Sequence, residues 1–323
     1  MHNETLRVQA RRGRDPSAPF YNALAWRGAR ALDATVDGAP SAVAAPRQSL
    51  VCTYPLDQSA EPAIRAFLGP RTEDLRIATN VRVRTRALRA SWTSPLPTFL
   101  SRPARRHFGA IAARHAIEWR ASTAVPQRVA VFVSKQPHCL VELLRQHAEG
   151  RLHCDLALVI SNHEECRALV ERFGIRFFCT PFEAAQKAEA ETLQYAQLGR
   201  HGIDLIVLAR YMQILSPGFV ARYPHRIINI HHSFLPAFAG AQPYRRAYER
   251  GVKFIGATAH FVTDALDCGE IIEQAVTRVA DGDDVAALAK KGEALESSVV
   301  ARALAWQLDN RIAVVDGATC IFL

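Results

Sequence analysis

Short apolar runs that alternate with helical segments constrain the fold of this chain more than any other feature of its sequence. Five such runs lie between residues 128 and 230, and each has the length of a β-strand buried on both faces. They are Arg128–Ser134, Asp155–Ser161, Ile175–Cys179, Asp204–Ala209 and Ile227–Ile230. The helical patterns between them cover Cys139–His147, Glu164–Phe173 and Phe182–His201. This order predicts right-handed crossovers and an α/β fold with a Rossmann-like, mostly parallel sheet.

The C-terminal third continues with longer elements. Phe254–Val262 and Ile271–Val279 are predicted strands whose length suits an antiparallel pair, and Val285–Leu308 is a predicted helix. Arg311–Val315 and Thr319–Leu323 are predicted to form a terminal hairpin. Ligands of open, mostly parallel sheets bind beyond the carboxyl ends of the strands. We therefore look for chemistry in the residues that follow the predicted strands.

Residues 1–106 lack a comparable pattern. A helix is predicted over Ala60–Leu68 and a short strand over Arg82–Arg86, but neither has a clear neighbour. Three interpretations stay open: a mobile basic arm, a weakly patterned small domain, or a segment whose coding sequence is damaged. Periodicity returns at Phe108–His115, which has helical spacing, and a short strand is predicted over Ala116–Arg120.

The net charge of +9 is concentrated at the N-terminal end of the sequence. Residues 1–126 contain 19 arginines, no lysine and 9 acidic residues, whereas residues 127–323 contain 21 basic and 22 acidic groups. The C-terminal part is thus close to neutral, which is not typical of a surface that binds a phosphate backbone. A nucleic-acid-binding arm within residues 1–126 is the weaker alternative.

The composition also indicates the cellular compartment in which the protein is expected. The sequence contains no run approaching the roughly 18 uninterrupted apolar residues that a membrane span needs, and its first residues lack the apolar core of a secretory signal. Its seven cysteines are odd in number and form no CxxC pair, which argues against a disulfide framework. We therefore expect a cytoplasmic protein with neither a membrane nor a nucleic acid as its partner.

Two polar stretches follow predicted strands. Asn229 and His231 end the fifth strand and, being two residues apart, point to the same side of it. An Asn amide can donate to an oxyanion, and an imidazole can transfer a proton. The second stretch is a loop in which Asp264 and Asp267 precede Gly269, which permits a sharp turn. A loop carboxylate beside an imidazole would raise the pKa of the ring and position a water molecule.

Each of these residues also has a purely structural explanation. An Asn at the end of a strand usually forms a turn, Asp264 suits a loop cap, and His260 within a strand suits a hydrogen-bonded core position. The His doublet at 231–232, with His260 and Cys268, raises the question of zinc. No CxxC or HxxxH spacing supports such a site, so no metal is predicted.

Two blocks of this sequence, in residues and in spacing, resemble the formyltransferase family that uses 10-formyltetrahydrofolate. They are Asn229–Pro236 and His260–Ile272. Three further segments resemble the formyltetrahydrofolate deformylases within that family: Ser134–Leu140, Leu208–Ser216 and Ala239–Tyr244. The resemblance covers residues 107–323. It implies an enzyme that hydrolyses 10-formyltetrahydrofolate to tetrahydrofolate and formate.

The resemblance also implies roles for individual residues. Asn229, His231 and Asp267 match the catalytic residues of the family. Leu208–Ser216 and the loop around Asp264–Gly269 match the walls of the pterin pocket. The implied substrate-binding residues are Arg210, Tyr211, Met212, Ile214, Leu215, Asp264 and Gly269. His138, in the turn after the first strand, is a further candidate contact, and a structural polar role suits it equally well. The folate is the substrate, so no separate cofactor is expected.

Domain organisation follows from the same resemblance. Residues 127–323 are the implied catalytic domain, residues 107–126 an ACT-like remnant with a linker, and residues 1–106 an N-terminal segment of uncertain fold or a degenerate ACT domain. Deformylases usually begin with an ACT domain whose first turn resembles Cys-Pro-Asp-x-Pro-Gly, and the sequence lacks this turn. Regulation through such a domain, and a homo-oligomer built through it, therefore stay open. The family also usually has Pro where this chain has Glu270.

Two alternative functions stay open at this stage. Glycinamide ribonucleotide transformylases are similar in the catalytic blocks, but they carry a Gly/Ser-rich phosphate loop after the first strand. Here that turn is Ser134–Cys139, which contains no glycine, so no nucleotide or phosphate site is predicted there. The second alternative is a non-catalytic folate-binding regulatory protein, which the unusual N-terminal segment motivates.

Overall fold

The structure, a computed structural model of the chain, describes residues 47–93, 101–123, 126–238, 240 and 242–323. Parts of the sequence-based predictions lie outside the described residues: positions 1–46 and 94–100 of the N-terminal segment, positions 124–125 of the linker, and two alanines of the Ala239–Tyr244 block. Within the described part, none of the helices combines the length and the apolar character that a membrane crossing requires.

A four-stranded antiparallel sheet precedes the predicted catalytic domain. Its elements are β1 (Arg47–Pro55), α1 (Glu61–Leu68), β2 (Asp74–Asn80), β3 (Thr85–Thr93), α2 (Arg102–Arg114) and β4 (Glu118–Thr123). The strand order is β2-β3-β1-β4, and the βαββαβ sequence of elements is that of a ferredoxin-like motif. The two helices and the sheet share a core whose fully buried residues are Leu50, Cys52, Ala60, Ile64, Leu88, Ala90 and Phe108.

Of the three interpretations left open for the N-terminal segment, this sheet favours a small domain for residues 47–93 and 101–106. The helix predicted over Ala60–Leu68 is confirmed as α1, and the boundary placed at residue 106 falls inside α2. The strand predicted over Arg82–Arg86 is wrong, because residues 81–84 form the turn between β2 and β3. The pattern was hard to read because six consecutive residues of β3, from Ala87 to Trp92, are buried, so the strand shows no alternation.

The larger part of the chain contains the remaining elements. They are β5 (Gln127–Val133), α3 (His138–Ala148), β6 (Cys154–Ser161), α4 (Arg167–Arg172), β7 (Arg176–Cys179), α5 (Lys187–Arg200), β8 (Leu205–Leu208), α6 (Pro217–Val220), β9 (Ile227–His231), α7 (Pro243–Glu249), β10 (Phe254–Phe261), β11 (Ile271–Arg278), α8 (Val285–Leu308), β12 (Ile312–Val315) and β13 (Ala318–Ile321).

A seven-stranded sheet with the order β11-β10-β9-β8-β5-β6-β7 lies at the centre of this part. Strands β9, β8, β5, β6 and β7 are parallel, whereas β10 and β11 are antiparallel to their neighbours. The predicted Rossmann-like fold, the antiparallel pair and the terminal hairpin are therefore confirmed. The helix predicted over Phe182–His201 begins only at Lys187, because a 3-10 turn with reciprocal caps from Glu183 and Gln186 precedes it.

Both faces of the central sheet are covered by helices, which explains the apolar runs of the sequence. In β5, Val129 and Val131 belong to the core shared with α3 and α8, whereas Ala130 and Phe132 belong to the core shared with α5 and α6. Successive side chains of a strand point to opposite faces. A strand buried on both faces therefore has apolar residues at every position.

Arg89 of β3 ties the small sheet to the end of α8. Its guanidinium is only 7% exposed, donates two hydrogen bonds to the carbonyl oxygen of Asp309 (3.2 and 3.0 Å), and pairs with Asp74 at 2.9 Å. Asp309 caps α8, where the carbonyl groups lack partners within the helix. Apolar residues of both parts continue the contact: Val51, Ala87, Ala313, Cys320 and Phe322.

Replacing Arg89 by Met should weaken this contact, because Met fills similar volume but leaves the Asp309 carbonyl without its charged donor. Hydrogen bonds to charged groups contribute about 1.5–3 kcal/mol. The free energy of unfolding, measured with urea, should fall by an amount in this range. Arg82→Met at an exposed turn position is the control and should leave it unchanged. Equal stability of the two variants would contradict the role of Arg89.

The loop between β10 and β11 folds back tightly against β10. A Cβ atom added at Gly269 would lie 1.7 Å from the carbonyl oxygen of Phe261. The N–H of Phe261 in turn donates to the carbonyl oxygen of Glu270 at 3.0 Å, next to a register shift between Ala259 and His260. The loop can pack this closely against the strand because residue 269 has no side chain.

Gly269→Ala should therefore displace the loop and destabilise the protein. A clash with a backbone atom is not relieved by rotating a side chain, and overpacking of this kind costs about 1–3 kcal/mol. The control is Gly282→Ala, where an added Cβ atom meets nothing within 4 Å. Urea unfolding of both variants measures the difference, and a Gly269→Ala protein as stable as the control would refute the close-packing argument.

Candidate active site

Strands β9 and β10 bring polar side chains together at one end of the sheet. Asn229 and His231 lie in β9, and β10 places His260 directly opposite Asn229 in the antiparallel register. Asp267 follows in the loop after β10 and reaches the same place. His231 and His260 are 6% and 2% exposed, so both side chains are buried at this end of the sheet.

The Asp267 carboxylate contacts the His231 ring. Its Oδ2 atom lies 3.3 Å from Nδ1 of His231, and the backbone N–H of Gly240 donates to the same carboxylate. Burial raises the pKa of Asp267, but the hydrogen bond to His231, the electrostatic attraction of the His231 and His260 rings and the Gly240 bond together lower it below its usual value. The carboxylate is therefore ionised at neutral pH. Asp267 also has a φ of 55°, a strained conformation for a residue with a side chain.

His260 orients Asn229 from the neighbouring strand. Nδ1 of His260 lies 2.8 Å from the carbonyl oxygen of Phe261, which can only accept, so Nδ1 carries the proton. Burial lowers the pKa of His260 despite the opposing effects of the Phe261 hydrogen bond and the Asp267 charge. The ring is thus neutral, and its Nε2 atom accepts a hydrogen bond from the Asn229 amide at 3.2 Å. This bond fixes the plane of the amide.

The second ring nitrogen of His231 is available for a ligand. Nε2 is buried and makes no hydrogen bond within the part of the chain that the structure describes. Because Nδ1 faces a carboxylate, Nε2 accepts a proton when the ring is neutral and donates when the ring is charged. Buried polar atoms are normally paired. This nitrogen, beside the fixed amide of Asn229, therefore indicates where a polar ligand binds.

Hydrogen bonds from Thr258 set the path of the chain after His231. The Thr258 hydroxyl donates to the carbonyl oxygen of Ser233 at 2.8 Å and accepts from the N–H of Leu235 at 3.0 Å. Gln274 of β11 donates to the carbonyl oxygen of Leu235 at 3.0 Å. Two strands thus hold the segment that leaves the candidate site.

The segment predicted to line the pterin pocket divides into two sets of side chains. Met212 and Ile214 are 57% and 61% exposed and can contact a ligand. Tyr211 and Leu215 are buried in the core, where the Tyr211 hydroxyl accepts a hydrogen bond from Gln194 at 3.1 Å. The Tyr211 and Leu215 side chains turn inward and pack in the core, and their contact with a folate stays a prediction.

The other predicted binding residues lie in different surroundings. His138 and Arg210 both contact Glu296 of α8, at 2.8 and 3.5 Å. Asp264 is exposed and accepts a hydrogen bond from the N–H of Ala265 at 3.0 Å, which fits a loop cap. Gly269 is the point of close backbone packing. The structure therefore groups the three predicted catalytic residues at His231 and gathers His138 and Arg210 around a second carboxylate.

Sequence reasoning did not single out two residues of this region for function. The sequence predicts a core position for His260, which the structure confirms, but only the register of β10 places it opposite Asn229. Glu296 lies on the buried face of α8, one turn after Gly292 and one turn before Val300. A charged residue within an apolar helical stripe is the signal that marks such a position.

One triad of side chains within the described residues has the spacing of metal ligands. The donor atoms of His138, Cys139 and Glu296 lie within 4.8 Å of one another. Glu296 is already bonded to His138 and Tyr244, and burial raises the pKa of the Cys139 thiol well above its ordinary value. Metal ligation requires a thiolate. The triad thus fits a hydrogen-bonded cluster better than a metal centre, and the expectation that no metal is bound stays a prediction.

Comparisons with known proteins extend this picture. The formyl transferase family model matches residues 127–304. The formyltetrahydrofolate deformylase of Bacillus subtilis (strain 168) is 51% identical over 216 residues, which cover 67% of this chain and 72% of that protein. A formyltetrahydrofolate deformylase structure from Pseudomonas syringae pv. tomato has a TM-score of 0.81 at 36% identity, covering 88% and 96% of the two chains. Glycinamide ribonucleotide transformylase 1 from Symbiobacterium toebii has a TM-score of 0.56 at 31% identity, covering 61% and 95%. The chain therefore belongs to the formyl transferase family.

Proposed function

We propose that this chain hydrolyses 10-formyltetrahydrofolate to tetrahydrofolate and formate. The observation that carries the proposal is the buried Nε2 of His231, which has no hydrogen-bond partner among the residues that the structure describes, on a ring whose other nitrogen contacts the ionised Asp267. An acid–base group beside an amide donor is what attack on a carbonyl carbon requires. Two proteins named formyltetrahydrofolate deformylase support this substrate and this reaction: one is 51% identical in sequence, and the structure of the other has a TM-score of 0.81.

In the proposed mechanism, a water molecule attacks the formyl carbon. Asp267 orients this water and stabilises positive charge on His231. The formyl oxygen becomes an oxyanion that accepts hydrogen bonds from Asn229 and from the charged His231. The bond between the carbon and N10 then breaks, one proton of the water reaches N10 and the other is released to solvent, and formate and tetrahydrofolate leave. The lowered pKa of Asp267 keeps its carboxylate ionised, and neutral His260 holds the amide of Asn229 in place.

Transfer of the formyl group to an amine is the closest alternative. The turn between β5 and α3 contains no glycine, so it offers no obvious cradle for the phosphate of an amine substrate. Similarity to the named transformylase covers 61% of this chain, whereas similarity to the named deformylase structure covers 88%. Both observations favour water as the acceptor.

Further properties follow as parts of this proposal. The reaction needs neither a metal nor a separate cofactor, because the folate itself carries the formyl group. The near-neutral residues 127–323 support a small-molecule partner rather than a nucleic acid or a membrane. All seven cysteines are free thiols, which supports a reducing compartment such as the cytoplasm. The small sheet of β1–β4 is our candidate for the ACT domain and for the contact between copies in a homo-oligomer.

The proposal is tested by measuring formate release from 10-formyltetrahydrofolate by the wild-type chain and by the Asp267→Asn variant. The amide keeps the shape of the carboxylate but removes its charge, so the rate should fall about 100-fold or more, as expected when a proton-transfer group loses its support. Asp316→Asn is a matched control, because Asp316 is exposed and also has a positive φ, of 46°. Its rate should equal that of the wild type.

The outcomes of this assay separate the alternatives. Formate production that strictly requires an added amine would identify a transferase. Folate binding without formate release, unaltered by Asp267→Asn, would identify a non-catalytic binding protein. Either result would refute hydrolysis.

Asn229→Leu should lower kcat about 10²–10³-fold and change the affinity for the folate little, because an oxyanion donor acts in the transition state. His260→Phe keeps a buried ring but removes the acceptor that orients the amide, so its kcat should fall by a smaller factor. Steady-state kinetics of formate release measure both effects. A wild-type kcat for Asn229→Leu would remove Asn229 from the mechanism.

A further inference from the structure

Glu296 is a buried carboxylate that the proposed mechanism does not use. Its side chain is 1% exposed, contacts Nε2 of His138 at 2.8 Å, and accepts a hydrogen bond from the Tyr244 hydroxyl at 2.5 Å. Nε of Arg210 lies 3.5 Å from it, and the same Arg210 side chain donates to Gln136 at 2.9 Å. We call these five residues the Glu296 network.

The network holds an ionised carboxylate away from water. Burial raises the pKa of Glu296, but the His138 hydrogen bond, the Arg210 charge and the Tyr244 hydrogen bond together bring it below its usual value. The negative charge of Glu296 is thus balanced by the Arg210 guanidinium. Removing one partner of such a buried pair leaves an uncompensated charge, which is strongly unfavourable. The network therefore resists rearrangement.

The backbone also accommodates this network at two positions. Arg210 has a φ of 63°, which is strained for any residue except glycine. On α8, a Cβ atom added at Gly292 would lie 1.9 Å from the Tyr244 hydroxyl, so Gly292 makes the space in which Tyr244 reaches Glu296. Strain that is maintained by specific contacts is typical of functional sites.

His232 connects the network to the candidate active site. Its ring stacks on His231 with centroids 5.1 Å apart and lies 5.9 Å from the ring of Tyr244. Burial, together with the Arg210 charge, lowers the pKa of His232 to about 3, so the ring is neutral. The charges of Glu296 and Asp267 act on the same ring. Through the His232 ring, the network therefore lies beside His231.

We propose that the Glu296 network is a specificity-determining wall that closes the acceptor side of the active site and restricts the acceptor of the formyl group to water. The proposal rests on the proposed function. The network joins the turns after β5 and β8 to α7 and α8, beside the His231–His232 stack. A primary amine larger than water could enter there only by separating buried, paired charges.

The shared fold alone does not exclude an amine acceptor, because a protein named glycinamide ribonucleotide transformylase 1 has it as well. The side chains at the carboxyl ends of the strands must therefore make the difference. In this chain, the Gly-free turn after β5 supplies Gln136 and His138, whose side chains are hydrogen-bonded to Arg210 and Glu296 of the network.

Two variants of the full chain should open the wall. Arg210→Gly removes the guanidinium and relieves the backbone strain of the positive φ. His138→Ala removes a half-buried ring while Tyr244 and Arg210 still hold Glu296.

Each variant is incubated with 10-formyltetrahydrofolate and increasing concentrations of glycinamide, and formate and N-formylglycinamide are quantified. In the transfer reaction the amine nitrogen bonds to the formyl carbon, the bond to N10 breaks, and one amine proton ends on N10. Arg84→Gly is the matched control, because Arg84 is exposed and has a φ of 49°.

The wild type and Arg84→Gly should release formate and form no N-formylglycinamide above the level without enzyme. Arg210→Gly and His138→Ala should raise the ratio of N-formylglycinamide to formate about tenfold or more, the size of effect that an opened pocket produces. Circular dichroism melts establish that the variants are folded. Any of three results would overturn the wall: folded variants that release formate alone, variants that fail to fold, or a wild type that formylates glycinamide. A wild type that releases no formate would instead overturn the proposed function itself.

Discussion

The candidate site depends on one carboxylate that reaches back over the end of a strand. Asp267 contacts His231 because its own φ is positive and because Gly269 lets the loop pack against the carbonyl oxygen of Phe261. A strained backbone and a buried charge both disfavour this arrangement in isolation. The His231 ring and the N–H of Gly240 offset these costs, since both stabilise the ionised carboxylate. Loop conformation and side-chain chemistry are therefore coupled.

Two buried carboxylates flank the His231–His232 stack, and their surroundings differ in one respect. Asp267 faces a ring whose far nitrogen, Nε2, has no partner among the described residues. Glu296 is bonded to His138 and to Tyr244 and is charge-balanced by an arginine. The first arrangement can pass a proton to a ligand, whereas the second can only hold its neighbours in place. This difference is why we assign chemistry to Asp267 and selectivity to Glu296.

Much of the site could be predicted from local pattern. Asn229 and His231 share a side because a strand repeats every two residues, and no long-range information is needed for that inference. The inward turn of Tyr211 was not predictable, because the segment after β8 has no regular period. The partner of His138 was equally hidden, since Glu296 lies 158 residues further along the chain.

The sequence by itself determined the architecture of residues 127–323. Strands buried on both faces leave uninterrupted apolar runs, and the helices between them leave a different period, so order and type of element are encoded locally. Tertiary structure decided the rest. It paired buried β3 with β1 and β2, placed His260 opposite Asn229, and brought Glu296 to His138. The register between strands and the contacts between polar groups far apart in the sequence depend on the pairing of remote backbone segments. A short stretch of sequence does not determine that pairing.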